Sequence, residues 1–280
     1  MAAHEANNSG TKAAAPGVAA PAAARLEVRI DDGVAVVTLA RPDVHNAFDE
    51  VLIAELTATL KTLDADAAVR VVVLAGQGRS FCAGADLGWM QRMAGYSHAE
   101  NLADATALAT MLATLDRMAK PTIARVHGAA YGGGVGLVAC CDIAVAAEEA
   151  TFALSEVKLG LIPATIGPYV VAAIGARQAR RYFLTAERFT AAEAMRIGLV
   201  HDVVPAAAVD RRVDALIAAL RAAGPRAQAE AKALVRAVSA RPADDAVIGR
   251  AANRSMCRAR DGQSAQRCST AASSGSGPQQ

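Results

Sequence analysis

The feature that most constrains this chain is an alternation of two periodicities. Strand-length apolar runs, Val69–Leu74, Pro121–Val126 and Ile143–Ala147, take turns with stretches whose apolar residues recur at helical spacing. Helices are predicted over Asp49–Leu63, with Asp49 as N-cap, and over Leu87–Met93, Ala99–Met118 and Gly134–Cys141. Buried strands alternating with helices mean an α/β fold. Ahead of the alternation, Leu26–Ile30 and Val34–Leu39 flank Asp31-Asp32-Gly33 and predict a β-hairpin, because an Asp-Gly turn accepts positive φ at both central positions. After Phe152 strands become rare. Ala172–Leu184, Ala191–Ile197, Ala206–Ala222 and Arg226–Val238 read as helices, with Gly198 and Gly224 as stops.

The division expected from this pattern is a core over 26–205 and a helical C-terminal region over 206–248. An Ala/Pro-rich tail is expected over 1–25, and an Arg/Ser/Cys-rich tail without apolar period over 249–280. The opening residues lack the basic and continuous apolar segments of a secretory signal. No uninterrupted apolar run is long enough for a membrane span. A formal net charge of +2 leaves no broad field for nucleic acid or an anionic membrane, so an anionic ligand must be recognised locally. The Asp49–Leu63 helix carries Lys61 as its only basic residue, which also argues against RNA. Five cysteines, two of them adjacent and none in metal-binding spacing, point to a reducing, cytoplasmic compartment without structural disulfides or a metal. Cys140 and Cys141 read as small core residues.

Three segments carry possible chemistry. In Ser80–Asp86, Gly84 permits a tight turn and Asp86 can cap the next helix, aiming the N–H of Ala85 outward where a helix start favours negative charge. In Gly128–Gly136, adjacent glycines admit a ligand to the backbone, and the first helical turn supplies free N–H groups. Neither a dinucleotide nor a nucleotide-phosphate fingerprint is present, nor the GxSxG of a serine hydrolase. Taken singly, each segment is equally well an ordinary strand–helix connection. Two such donors converging would hold an oxygen that gains charge, as a thioester carbonyl does on enolisation. In Phe152–Pro163, Glu156 lies in apolar surroundings that would raise its pKa and suit it to proton transfer at carbon. Its plain alternative is a surface glutamate paired with Lys158.

In this order, RPDVHNAF (41–48), FCAGADL (81–87), GAAYGGGVGL (128–137), CDIAVA (141–146) and SEVKLGLIP (155–163) resemble the crotonase, or enoyl-CoA hydratase/isomerase, superfamily. The resemblance implies a spiral of ββα units, a helical C-terminal region, and a homotrimer or hexamer. It implies an acyl-CoA thioester as substrate, with coenzyme A part of that substrate and no separate cofactor. It assigns Ala85 and Gly133 as oxyanion-hole donors and Glu156 as the catalytic residue, with Ala83, Asp86, Leu87, Gly132, Ser155 and Ala164 lining the thioester. Hydratases of the family commonly use two glutamates; the first is expected at position 136, where this chain has glycine. The wording around the motifs is closest to bacterial methylglutaconyl-CoA hydratases, which implies hydration of a branched glutaconyl-type thioester in leucine degradation. Double-bond isomerisation, which needs one base, and a non-catalytic thioester-binding relative are the alternatives. No partner for a distal substrate carboxylate stands out: Arg92, His127, Tyr131 and Lys158 are merely near the motifs, and His127 and Tyr131 read as packing residues. The family's usual C-terminal covering helix has no counterpart after Ile248.

Overall fold

The computed structural model describes residues 24–239. The tail expected over 249–280, nearly all of that over 1–25, and positions 240–248 of the helical region lie outside the described residues. The chain opens with the hairpin of β1 (Leu26–Asp31) and β2 (Val34–Leu39), followed by α1 (Glu50–Ala65). Asp32 and Gly33 both hold positive φ, 44° and 77°, as the Asp-Gly turn requires. Asp49 caps α1 by accepting the Leu52 N–H, and Leu52, Ile53, Leu56, Leu60 and Leu63 form its buried stripe.

Three similar units follow. The first is β3 (Val71–Gly76), β4 (Ser80–Cys82) and α2 (Leu87–Met93), after which α3 (His98–Arg117) crosses with a Ser97/Glu100 capping box. The second is β5 (Thr122–Val126), β6 (Ala129–Tyr131) and α4 (Gly133–Cys140). The third is β7 (Ile143–Ala147), β8 (Thr151–Ala153), a 3₁₀ turn over Glu156–Leu159, and α5 (Gly167–Thr185). The long strand of each unit joins one sheet, ordered β1-β2-β3-β5-β7-β10, where β10 is Asp202–Val204, and the short strand joins a second, ordered β4-β6-β8-β9, where β9 is Phe189–Thr190. This is the predicted spiral of ββα units. The chain closes with β9 (Phe189–Thr190), α6 (Ala191–Arg196), β10 (Asp202–Val204), α7 (Val209–Ala222) and α8 (Pro225–Ser239).

The main core lies between α1, α3, α4 and the inner face of the large sheet, and includes Phe48, Leu112, Leu115 and Phe152. A smaller cluster on the outer face packs Val209 and Val213 of α7 on Val71, Val73, Ile123 and Val145. α8 is latched to this body by Lys232, whose ammonium donates to Asp142 (2.6 Å) and to the Lys120 carbonyl (2.9 Å).

Two expectations change in detail. The helix expected over Ala172–Leu184 starts at Gly167, with Pro168 tolerated in its first turn, and is broken at Gly175, where φ is 74° and ψ 154°. Gly198 does stop α6, with φ of 90° and its N–H bonded to the Met195 carbonyl while Leu199 reaches back to Ala194, a Schellman ending. Gly224, expected only as a stop, also opens α8 by accepting the Gln228 N–H.

Candidate functional site

The second sheet makes the site. β4, β6 and β8 run parallel side by side, with Cys82 opposite Ala130 and Tyr131 opposite Ala153. Neighbouring strands lie about 4.8 Å apart. The residues leaving their C-terminal ends therefore emerge together: Ala83–Asp86, Gly132–Gly133 and Leu154–Glu156. Carboxyl ends of parallel strands are the ordinary place for a ligand in an α/β protein.

Two amide donors meet here. The N–H groups of Ala85 and Gly133 take no acceptor among the described residues. They are close neighbours, because a Cβ added to Gly84 would lie 3.3 Å from the Gly133 nitrogen and 2.8 Å from the Tyr131 carbonyl oxygen. Gly84, with φ of 89°, thus combines left-handed backbone with a contact no side chain fits. Phe48 fixes both donors. Its N–H donates to the Gly84 carbonyl and its carbonyl accepts from the Asp86 N–H, both at 2.7 Å, bracketing Ala85. Its fully buried ring supports the other side, since a Cβ on Gly133 would come within 2.3 Å of Phe48 Cε2. A preset pair of unpaired N–H groups can hold an oxygen that becomes negative, without reorganising as the charge forms.

Glu156 supplies the third component. Its Oε1 lies 3.2 Å from where a Cβ on Gly132 would stand, which puts the carboxyl against the backbone next to Gly133. Its Oε2 is buried and has no hydrogen-bond partner. Burial pushes the carboxyl above the ordinary glutamate range, opposed by a hydrogen bond from its own N–H. The plain alternative, an ion pair with Lys158, does not occur among the described contacts. Gly132 itself adopts φ 48° and ψ −116°, a conformation open to glycine. A buried carboxyl oxygen left without a partner is costly for folding, and is of the kind that can exchange a proton with a ligand.

Position 136 accounts for the missing second glutamate. A Cβ there would lie 2.3 Å from Ile166 Cγ2 and 2.9 Å from Ile166 Cβ. Ile166, 2% exposed, fills the volume into which a side chain at 136 would project. The glycine and the isoleucine are one packing decision.

The remaining expected residues fall as follows. Asp86 caps α2 through the Trp89 N–H, and Leu87 is 71% exposed beside it. The Ala83 N–H is already bonded to the His45 carbonyl, so Ala83 is no free donor. Ser155 precedes Glu156 and accepts the Lys158 N–H, while Ala164 is exposed on the loop before α5. His127 bonds the Gly78 carbonyl and Tyr131 bonds Thr151, consistent with packing roles; Arg92 is held by both oxygens of Glu50. Among the described residues no cluster of His, Cys, Asp or Glu could hold a metal, and no helix is long and apolar enough to cross a membrane. Sequence reasoning missed Phe48, Ile166 and Arg41. The first and last lie within RPDVHNAF, which pointed to their importance without their roles.

Comparison with known proteins shows which family the chain resembles. The family profile described as enoyl-CoA hydratase/isomerase matches residues 29–267. The enoyl-CoA hydratase ACTT6 of Alternaria alternata is 37% identical over 215 residues, 75% of this chain and 69% of that protein. A hydroxycinnamoyl-CoA hydratase-lyase of Pseudomonas fluorescens is 38% identical over 185 residues, 65% of this chain and 67% of that protein. The crystal structure of an enoyl-CoA hydratase from Shewanella pealeana superimposes with a TM-score of 0.83 at 41% identity, covering 92% of this chain and 96% of that one.

Proposed function

The chain belongs to the enoyl-CoA hydratase/isomerase family, and we propose that it adds water to a 2-enoyl-CoA using Glu156 as its single acid–base group. The observation that carries this reading is the buried, unpartnered Glu156 oxygen beside two unpaired amides. In the proposed reaction the thioester carbonyl accepts from Ala85 and Gly133. Glu156 takes a proton from water as the water oxygen bonds to Cβ, and the π pair moves toward Cα and the carbonyl oxygen. Glu156 then returns that proton to Cα, so the net addition is one H and one OH. The donors contribute most where the oxygen is most negative, in the enolate-like transition state.

The finer reading is a branched glutaconyl-type substrate, 3-methylglutaconyl-CoA of leucine degradation, supported by the likeness of the motif wording. Cytoplasmic action as a homotrimer or hexamer is part of the same proposal; the free, buried Cys82, Cys140 and Cys141 suit a reducing compartment. One observation favours a second chemistry. Ile166 closes position 136 to a second carboxylate, and double-bond migration between Cα and Cγ needs one base only. Mass spectrometry and chiral chromatography of products from 3-methylglutaconyl-CoA and crotonyl-CoA, with Glu156→Gln alongside, separate the two. A mass gain of one water that Glu156→Gln abolishes supports hydration. A moved double bond without mass gain makes the protein an isomerase. Unchanged thioesters refute both.

A further inference from the structure

We propose that Arg41 is a positioning residue for the Ala85 amide, acting by tying together the two helix caps on either side of it; this rests on Ala85 being a thioester-carbonyl donor. The Arg41 guanidinium is 17% exposed, and its Nη2 stands 3.1 Å from Asp49 Oδ2 and 3.1 Å from Asp86 Oδ2. These two carboxylates are the N-caps of α1 and α2, bonded to Leu52 N and Trp89 N respectively. The backbones they belong to, at Phe48 and at Gly84–Asp86, are the two that pair around Ala85. Arg41 Nη1 donates in addition to the Ala47 carbonyl at 2.5 Å. The arginine is itself held in place. Its N–H donates to Asn46 Oδ1 and its carbonyl accepts from the Asn46 N–H, while the fully buried Asn46 amide reaches the Ser80 and Phe81 carbonyls of β4.

One cation therefore joins the hairpin exit, the start of α1 and the start of α2, with the donor amide between them. Arg25 also pairs with Asp49 but makes no recorded contact with Asp86. That difference supplies a control. A donor that is shifted, rather than lost, weakens transition-state binding more than ground-state binding. Displacement on the order of 1 Å can cost as much as about 100-fold in rate.

The test uses the full chain and its Arg41→Met, Arg41→Lys, Arg25→Met and Asp86→Asn variants. Turnover is followed with crotonyl-CoA. Carbonyl polarisation is read from the red shift of a bound 2,4-dienoyl-CoA, which grows as its carbonyl oxygen accepts hydrogen bonds. Arg41→Met is expected to lower kcat about tenfold or more with KM nearly unchanged, and to shrink the red shift; Arg41→Lys recovers part of both. Arg25→Met keeps the shift. Should Arg41→Met fail to fold, Asp86→Asn keeps a cap acceptor, removes the ion pair, and is expected to shrink the shift likewise. A full red shift and unchanged kcat in Arg41→Met, or in Asp86→Asn, overturns the inference alone. No shift and no turnover in the unaltered chain overturns the reading of the site and this inference with it.

Discussion

Replacing Gly136 by alanine tests the claim that this site was built around one carboxylate. The position is inside α4, where alanine ordinarily stabilises a helix by about 0.8–1.0 kcal/mol over glycine. Here the new methyl would stand 2.3 Å from Ile166 Cγ2, 2.9 Å from its Cβ and 3.6 Å from Leu112 Cδ2. Carbon atoms rest about 3.5–4.0 Å apart, so Ile166 must move by roughly an ångström. Because it is buried at the residue before α5, it cannot swing into solvent. Overpacking of this kind costs about 1–3 kcal/mol. The overpacking outweighs the helix gain, so the net expectation is a loss of up to about 2 kcal/mol, a fall in Tm of up to about 4–8 °C for a chain this size.

A double-mutant cycle isolates the contact. Ile166→Ala alone leaves a cavity and costs about 2–5 kcal/mol. Gly136→Ala in that background places its methyl in the vacated space, so the double variant should be more stable than the summed single costs by over about 1 kcal/mol. Equilibrium denaturation of the four proteins measures this. A Gly136→Ala protein at least as stable as its parent, or additive costs, would refute the reasoning. By the same geometry Gly136→Glu restores no second carboxylate unless Ile166 is trimmed.

Three further substitutions test particular contacts. Glu156→Gln is expected to reduce turnover by about 10²–10⁴-fold, and kcat/KM of the parent should fall with acid through an apparent pKa above the ordinary 4.5. The same substitution should stabilise the fold: a carboxyl whose folded pKa is raised loses stability as pH rises through that pKa, so the advantage of Gln appears above it and vanishes below about 4.5 in melts taken across pH. Gly132→Ala forces alanine to φ 48° and ψ −116° and pushes on Glu156 Oε1; it should cost about 1–3 kcal/mol and lower kcat, and normal kinetics with a normal Tm would contradict it. Lys232→Met leaves the Asp142 carboxylate, which also accepts from Thr122, without its cation. A destabilisation of about 1–3 kcal/mol and faster amide exchange over α8 are expected, and exchange unchanged there would count against the latch.

What could be read before the structure follows the range of the interactions concerned. The Asp32-Gly33 turn, the Asp49 and Asp86 caps and the Gly198 stop are local: residue type and backbone conformation decide them within a few positions. Gly84 was legible from the positive φ its turn demands, whereas Gly132, Gly133 and Glu156 were legible only through the ordered motifs that resemble a known family, since Gly133 is constrained by Phe48, far away in sequence. β4, β6 and β8 are three residues each, too short to show a period, and only their pairing reveals a second sheet. Ile166 left no local trace because its meaning is the contact with Gly136, thirty positions away. Arg41 was hidden likewise, since the acids it joins come from separate units.

The repeated unit explains how a defined site can be built with one carboxylate. Each ββα turn ends a short parallel strand beside the last, so the three exits lie together whatever side chains they carry. The first two exits contribute backbone N–H groups, which need glycine at 84 and 132 but no particular reactive side chain. The third contributes Glu156, and the fourth candidate position, 136, is closed by Ile166. In the proposed reaction, stabilisation of the carbonyl charge would be a property of the framework, held by Phe48 and Arg41, while the proton chemistry would rest on one side chain. On this proposal, positions 136, 156 and 166 are where substitution is expected to change the reaction. Retaining the framework residues while varying these three should alter which product forms before it alters whether the thioester is held.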